Sequence, residues 1–109
     1  MAITANVDLG NGVTASSCYI IVPNAYVKKF RPEKDGEDAT IKLIYDVDIY
    51  QNKAAADTFE LSARLRKKII CSEVDHFRID YDVTTTDNPW KLAYTHLKSN
   101  GKLSSVSDA

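Results

Sequence analysis

The side chains that most often catalyse reactions or bind metals are few in this sequence, and their spacing does not assemble a site. The imidazoles are His76 and His96, which form no HxH, HxxxH or HExxH pattern. Each is therefore interpreted as an ordinary surface or partly buried histidine. Cys71 lies close to His76 in the sequence, but no known nucleophile signature flanks it. We predict no catalytic residue, no cofactor and no metal ligand.

Four aspartates on the predicted outer faces of two strands supply the sharpest ligand hypothesis. They are Asp46, Asp48, Asp80 and Asp82. A sheet that brought them together would offer oxygen ligands to a hard cation. Lys42 and Arg78 share those faces, however, and can pair with the carboxylates across the strands. We therefore favour a solvated surface of mixed charge, since no DxDxDG calcium loop occurs.

Net charge and composition exclude several classes of protein. Fourteen basic and fifteen acidic residues leave a formal net charge of -1, which disfavours non-specific binding to nucleic acids or anionic membranes. Basic clusters at 28–31 and 64–68 lack a recognition-fold signature, so we predict no specific nucleic-acid partner. No apolar run approaches the roughly 20 residues of a membrane-spanning helix, and no membrane insertion is expected. Cys18 and Cys71 are interpreted as free thiols.

The first third of the chain has the composition of strands separated by turns. Ile3–Leu9 alternates loosely, and Gly10-Asn11-Gly12 supplies the positive φ angles of a tight hairpin turn. The β-prone run Val13–Arg31 is interrupted at Pro23-Asn24, because proline cannot donate a hydrogen bond to a strand ladder. A polar connector at 32–38 then leads into the second arm of a long hairpin.

The clearest two-residue period lies between residues 41 and 50. The predicted core face carries Ile41, Leu43, Tyr45, Val47 and Ile49. The opposite face is largely charged but also carries Ile44 and Tyr50. Interfaces favour tyrosine and aliphatic anchors inside a polar rim, although scattered exposed apolar residues are also normal. Ile44 and Tyr50 are therefore the candidate interface residues.

The second half of the chain is predicted to contain two further strands and one helix. Residues 51–57 could form a helical turn, but so short a segment is interpreted as a connector. Residues 59–70 fit either a helix, through the spacing of Leu61 and Leu65, or a strand, and we favour the strand; 76–83 is predicted as a half-buried strand. The helix is predicted over 88–100, with Pro89 at its first position and Gly101 as a left-handed C-cap. Its apolar stripe consists of Trp90, Ala93, Tyr94 and Leu97. If the stripe covers a sheet, Trp90→Ala should be among the most damaging substitutions.

These elements predict one domain, 1–109, with an α+β fold. A strand-rich body at 3–83 should form a small antiparallel β meander or sandwich, with the C-terminal α-helix at 88–100 packed on one face. Residues 102–109 are interpreted as a polar tail.

Three short stretches suggest a family. Asn11-Gly12-Val13-Thr14 lies early, Ala25-Tyr26-Val27-Lys28 opens a strand, and KLAYTHLK at 91–98 forms the C-terminal helix. In this order they resemble small tail-region and virion structural proteins of tailed bacteriophages. Two departures stand out: 15–24 is longer than the family pattern, and 59–75 resembles an insertion.

The resemblance implies a non-enzymatic virion component, made in the host cytoplasm and located in the tail, tail tip or baseplate region. Such a protein works by assembling in multiple copies, as a homo-oligomer or with other virion proteins, and it has no catalytic residues to transfer. One alternative is a capsid decoration protein or a receptor- or ligand-binding β module of a tail appendage. Another is a small enzyme or nuclease inhibitor.

Overall fold

The computed structural model describes residues 2–10, 12–32, 34–36, 38–66, 70 and 76–109. Its strands are β1 (Ile3–Gly10), β2 (Val13–Ile21), β3 (Ala25–Phe30), β4 (Thr40–Tyr45), β5 (Asp48–Tyr50), β6 (Arg64–Leu65), β7 (Phe77–Asp80) and β8 (Leu103–Asp108). Its helices are α1 (Lys53–Asp57), α2 (Pro89–Lys98) and a single 3-10 turn at Leu61–Ala63.

The strands form two antiparallel sheets. One has five strands in the order β6-β5-β2-β1-β8, and the other has three in the order β3-β4-β7. Every pairing within them is antiparallel. The predicted strand-rich, antiparallel body with a small helical part is confirmed, but it is divided between two sheets rather than following one meander.

The β1–β2 hairpin forms at the predicted turn. Gly10 and Gly12 adopt φ angles of 87° and 78°, in the left-handed region that glycine tolerates without a Cβ clash. The amide of Gly10 donates to the Asp8 carboxylate at 2.8 Å, which stabilises the entry to the turn. Asn11 lies outside the described residues.

The alternating run at 41–49 supplies strands to both sheets. The chain leaves the three-stranded sheet after Tyr45 and enters the five-stranded sheet at Asp48. Between them, the Val47 amide donates to the Asp46 carboxylate at 2.9 Å. Leu43, Tyr45, Val47 and Ile49 are all fully buried, whereas Ile41 is only partly buried, so the predicted core face is confirmed from Leu43 onward even though the strand breaks.

Residues 51–70 differ from their predicted structure. The segment interpreted as a connector contains α1, whose start is capped by the Asn52 side chain accepting from the Ala55 amide at 2.8 Å. The strand predicted at 59–70 is wrong over most of its described length, where a turn and the 3-10 turn precede the two-residue β6. Residues 67–69 of that prediction lie outside the described residues.

The predicted polar tail at 102–109 is wrong, because most of it is strand β8. It pairs with β1 in a register that places Ile3 opposite Asp108 and Thr4 opposite Ser107. A strand can pair through its backbone without an apolar sequence. The edge of β1 that does not face β2 offers its amides and carbonyls to β8. Leu103 adds a buried side chain to the core.

Helix α2 begins as predicted and ends differently. The Asn88 side chain accepts from the Lys91 amide at 2.8 Å, and Pro89 follows at the first helical position. Ser99 caps the other end, and Gly101 has no positive φ, so the predicted left-handed C-cap is wrong. Ala93, Tyr94 and Leu97 belong to the main core, whereas Trp90 is 46% exposed. Trp90 lies one turn beyond the covered part of the stripe, at the start of the helix.

Leu97→Ala is therefore expected to destabilise the protein more than Trp90→Ala. Deleting a fully buried leucine side chain costs about 2–5 kcal/mol through lost burial and the resulting cavity. Removal of the half-exposed indole should cost about 1 kcal/mol. Urea unfolding of both variants measures the difference, and a larger loss from Trp90→Ala would contradict this assignment of the core.

Candidate functional site

Ile44, one of the two predicted interface residues, is buried rather than exposed. It lies on the outer face of the three-stranded sheet, as its position in the alternation predicts, but only 5% of its surface is accessible. The strand register places it between Tyr26 on β3 and Arg78 on β7. Directly opposed side chains lie close enough to cover one another, so these long neighbours shield Ile44.

Tyr50, the other predicted interface residue, is also buried, with 2% of its surface accessible. It forms a second small core with Ala55 and Ala56 of α1 and with Ala63. The Arg64 guanidinium lies 5.7 Å from its ring centroid. The exposure predicted for Ile44 and Tyr50 is therefore wrong, because neighbouring strands cover the first and the segment after β5 covers the second.

The outer face of the three-stranded sheet is rich in cations arranged around one aromatic ring. The register places Lys28 beside Lys42, and Lys42 beside Asp80, with which it forms an ion pair. The Arg78 guanidinium lies 4.7 Å from the centroid of the Phe30 ring, and the Lys28 ammonium lies 5.2 Å from it. Such cation–π contacts orient the cations without neutralising them. We call Lys28, Phe30, Arg31, Thr40, Lys42 and Arg78 the cationic face.

The four aspartates of the cation-site hypothesis are not brought together. Asp48 pairs with Arg64 in the five-stranded sheet, whereas Asp80 pairs with Lys42 in the three-stranded sheet. The Asp46 carboxylate accepts from the Val47 amide. Hydrogen bonds from the Thr84 hydroxyl and amide hold the pKa of the Asp82 carboxyl below its usual value. Across the described residues, no group of three or more acidic, histidine or cysteine side chains is placed to hold a metal.

His96 lies in an aromatic cluster at the main core. Its Nδ1 and the Tyr45 hydroxyl are hydrogen-bonded at 2.5 Å, and Tyr45 stacks on Phe77 with ring centroids 4.8 Å apart. The imidazole meets the Phe77 ring edge-on at 5.7 Å. Burial lowers the pKa of His96, because the charged form loses its hydration.

A cavity of about 450 Å³ lies beside this cluster, between the strands and α2. Leu43, Ile79 and Leu92 give it apolar walls, and Asp80 and His96 are among its polar lining residues. The His96 ring nitrogen that bonds Tyr45 is directed at a phenol, which is a poor nucleophile near neutral pH. This hydrogen bond joins β4 to α2.

Cys18 is a buried free thiol whose pKa is raised by burial, which makes the reactive thiolate rarer. Cys71, considered above with His76, lies outside the described residues.

Phe59 and Leu61 are the functional candidates that the sequence reasoning missed. They are 71% and 70% exposed, on the turn between α1 and β6. Phe59 also adopts a φ of 53°, a left-handed conformation that is unusual for a bulky residue. Their exposure was only weakly indicated by the sequence, because Leu61 and Leu65 also fit the spacing of buried residues in a helix or a strand.

Comparisons of the chain with protein-family models, curated proteins and solved structures found no match. In the described part of the chain, no helix combines the length and hydrophobicity needed to span a bilayer.

Stability is expected to fall at acid pH through His96. Its folded-state pKa is below the ordinary value of about 6.5, so the unfolded state takes up the proton more readily. The stabilisation that results from this difference in pKa is complete at pH values above the ordinary pKa of histidine. It is lost as the pH falls through the folded-state pKa of His96. His96→Gln should therefore make the free energy of unfolding less dependent on pH between about 7 and 5.

Denaturant unfolding at a series of pH values measures this dependence for the wild type and the variant. His76→Gln, which removes the other imidazole, is the matched control with which the slope of His96→Gln is compared. An unchanged slope in His96→Gln would contradict the assignment to His96.

Proposed function

We propose that this chain is a non-enzymatic structural subunit of a bacteriophage virion, in its tail, tail-tip or baseplate region, and that it works by assembling in multiple copies with neighbouring proteins. The exposed pair Phe59 and Leu61 is the observation that carries the assembly part of the proposal. The assignment to a virion rests on the sequence resemblance described above.

The turn that presents Phe59 is held in place by hydrogen bonds. The amide of Phe59 donates to the Ala56 carbonyl at 3.1 Å, and the amide of Glu60 donates to the Ala55 carbonyl at 2.9 Å. These bonds keep a bulky residue in a backbone conformation that costs about 1–3 kcal/mol. A turn whose backbone is fixed in advance loses less entropy when a partner covers it, which favours the use of its aromatic side chain as an interface anchor.

The surroundings of Leu61 resemble the centre and rim of an interface. Leu61, Leu65 and Val47 line a shallow cavity of about 310 Å³ together with Arg64 and Arg66. Apolar side chains at the centre with arginine nearby are typical of protein–protein contacts. Arg64 pairs with Asp48 and is thereby fixed, whereas Arg66 has no ion pair with another described residue.

We further propose that α2 closes the inner face of the three-stranded sheet, and that its apolar stripe is not the assembly surface. Burial of Tyr94 and Leu97 supports this packing, as does contact of α2 with β3 and β4. The Val22 amide donates to the Tyr94 hydroxyl at 2.8 Å, which ties the helix to the segment between β2 and β3. The surfaces that remain for partner contacts are then the turn at Phe59 and the outer faces of the sheets.

Mass spectrometry of purified phage particles tests the location. The proposal predicts this chain in the particles at a copy number that matches a rotational symmetry of the tail. Its recovery only from the cytosol of infected cells would contradict the virion assignment. Copies in proportion to the capsid protein would favour a decoration protein instead.

The double variant Phe59→Ser, Leu61→Ser tests the assembly surface. Because both side chains are largely exposed, the free energy of unfolding should change little, by about 0.5 kcal/mol per site. Incorporation into particles should nevertheless fall at least tenfold, since truncated anchors cost about 2 kcal/mol or more each.

Val83→Ser is the matched control, since Val83 is also an exposed apolar residue in a connecting segment. Complementation of a phage lacking the gene, followed by quantification of the variant in particles, gives the measurement. Equal incorporation of the double variant and the wild type would exclude this turn as the assembly surface.

A further inference from the structure

We propose that the cationic face is a binding site for a phosphate group. A cavity of about 270 Å³ lies on this part of the protein, and its lining includes Phe30, Arg31, Thr40, Lys42 and Arg78. The proposal is independent of the virion assignment, because it rests only on the chemistry of these side chains.

Charge is the first argument. Within the described residues, Lys42 has an ion pair with Asp80, whereas Lys28, Arg31 and Arg78 have no carboxylate partner. Among the described residues that line the cavity, Arg31 and Arg78 are the cations without an ion pair, and the one carboxylate there, that of Asp38, does not balance both. Like charges held close together repel each other, and a bound anion removes that repulsion. A doubly charged phosphate offsets this excess of positive charge better than a single carboxylate does.

The donors available at the cavity are the second argument. Arginine presents a planar array of N–H groups that matches the oxygens of a phosphate in pairs. Arg78 is held against the Phe30 ring, so its guanidinium is ordered before any ligand arrives. Arg31 follows β3 directly, and Thr40, opposite Phe30 in the register, adds a hydroxyl donor.

The size and the aromatic wall of the cavity are the third argument. Its volume exceeds that of a phosphate group alone, so an organic group attached to the phosphate can also enter. Phe30 gives the cavity an apolar part beside the guanidinium of Arg78, and an organic group attached to the phosphate can contact it. The phosphate can therefore belong to a free nucleotide or to the backbone of a single-stranded nucleic acid, and the experiment must separate these sources.

Nuclear magnetic resonance titration of the full chain tests the proposal. Inorganic phosphate, adenosine monophosphate and a short oligothymidylate are added in separate experiments, with chloride used to hold the ionic strength constant. Saturable shifts of the Thr40 and Arg78 amides with phosphate are expected. Tighter binding of the mononucleotide indicates a free nucleotide, and a further gain with the oligonucleotide indicates a nucleic-acid backbone.

Variants that remove a positive or a negative charge test whether phosphate binds at this cavity. Arg78→Gln should weaken phosphate binding about tenfold, since it removes a charge-assisted pair of hydrogen bonds. Asp38→Asn should strengthen binding, because it removes the carboxylate from the cavity wall. Lys102→Gln removes an exposed positive charge that is not among the cavity-lining residues, and it should leave affinity unchanged.

Two results would overturn the proposal. One is an equal response to chloride and phosphate at the same ionic strength. The other is an equal affinity of the Arg78→Gln and Lys102→Gln variants for phosphate, which would show that binding depends only on the net charge of the protein. If Arg78→Gln fails to fold, Arg31→Gln replaces it, because Arg31 lies outside the strands and its removal disturbs no ladder.

Discussion

The fold depends on the place where two of the chain's crossings between its two sheets are joined. Residues 22–24 lead from β2 to β3, and residues 46–47 lead from β4 back to β5. The Asp46 amide donates to the Asn24 carbonyl at 3.0 Å, which joins the two crossings. The Val22 amide donates to the Tyr94 hydroxyl, which attaches α2 at the same place. Both sheets and the helix therefore contribute to one core, which contains Tyr45, Val47 and Leu97.

With the core closed in this way, the remaining surfaces divide by chemistry. The three-stranded sheet presents cations around Phe30 on its outer face, and the turn after α1 presents two large apolar side chains. The first surface suits an oxyanion and the second suits a protein partner. Neither surface includes Val22, Asn24, Asp46 or Tyr94, whose hydrogen bonds join the crossings and the helix.

The sequence predicted local structure better than long-range arrangement. Gly10, Pro23 and Asn88 act on their own neighbours, so the hairpin turn, the strand break and the start of α2 were all predictable. Partners distant in the chain could not be read from local pattern. The segment predicted as a polar tail is a strand because β8 pairs with β1, and Tyr50 is buried because α1 covers it. The cationic face was visible only as a basic cluster at 28–31, because its other members come from two further strands.

Native-state hydrogen exchange tests the coupling of the two sheets most directly. The amides of β4, the central strand of the three-stranded sheet, and those of β2, within the five-stranded sheet, are measured in the same experiment. If the paired crossings bind both sheets to one core, the slowest amides of each strand open with the same free energy, equal to that of global unfolding. A clearly lower opening free energy for β4 would show that the three-stranded sheet unfolds alone, and it would contradict the account.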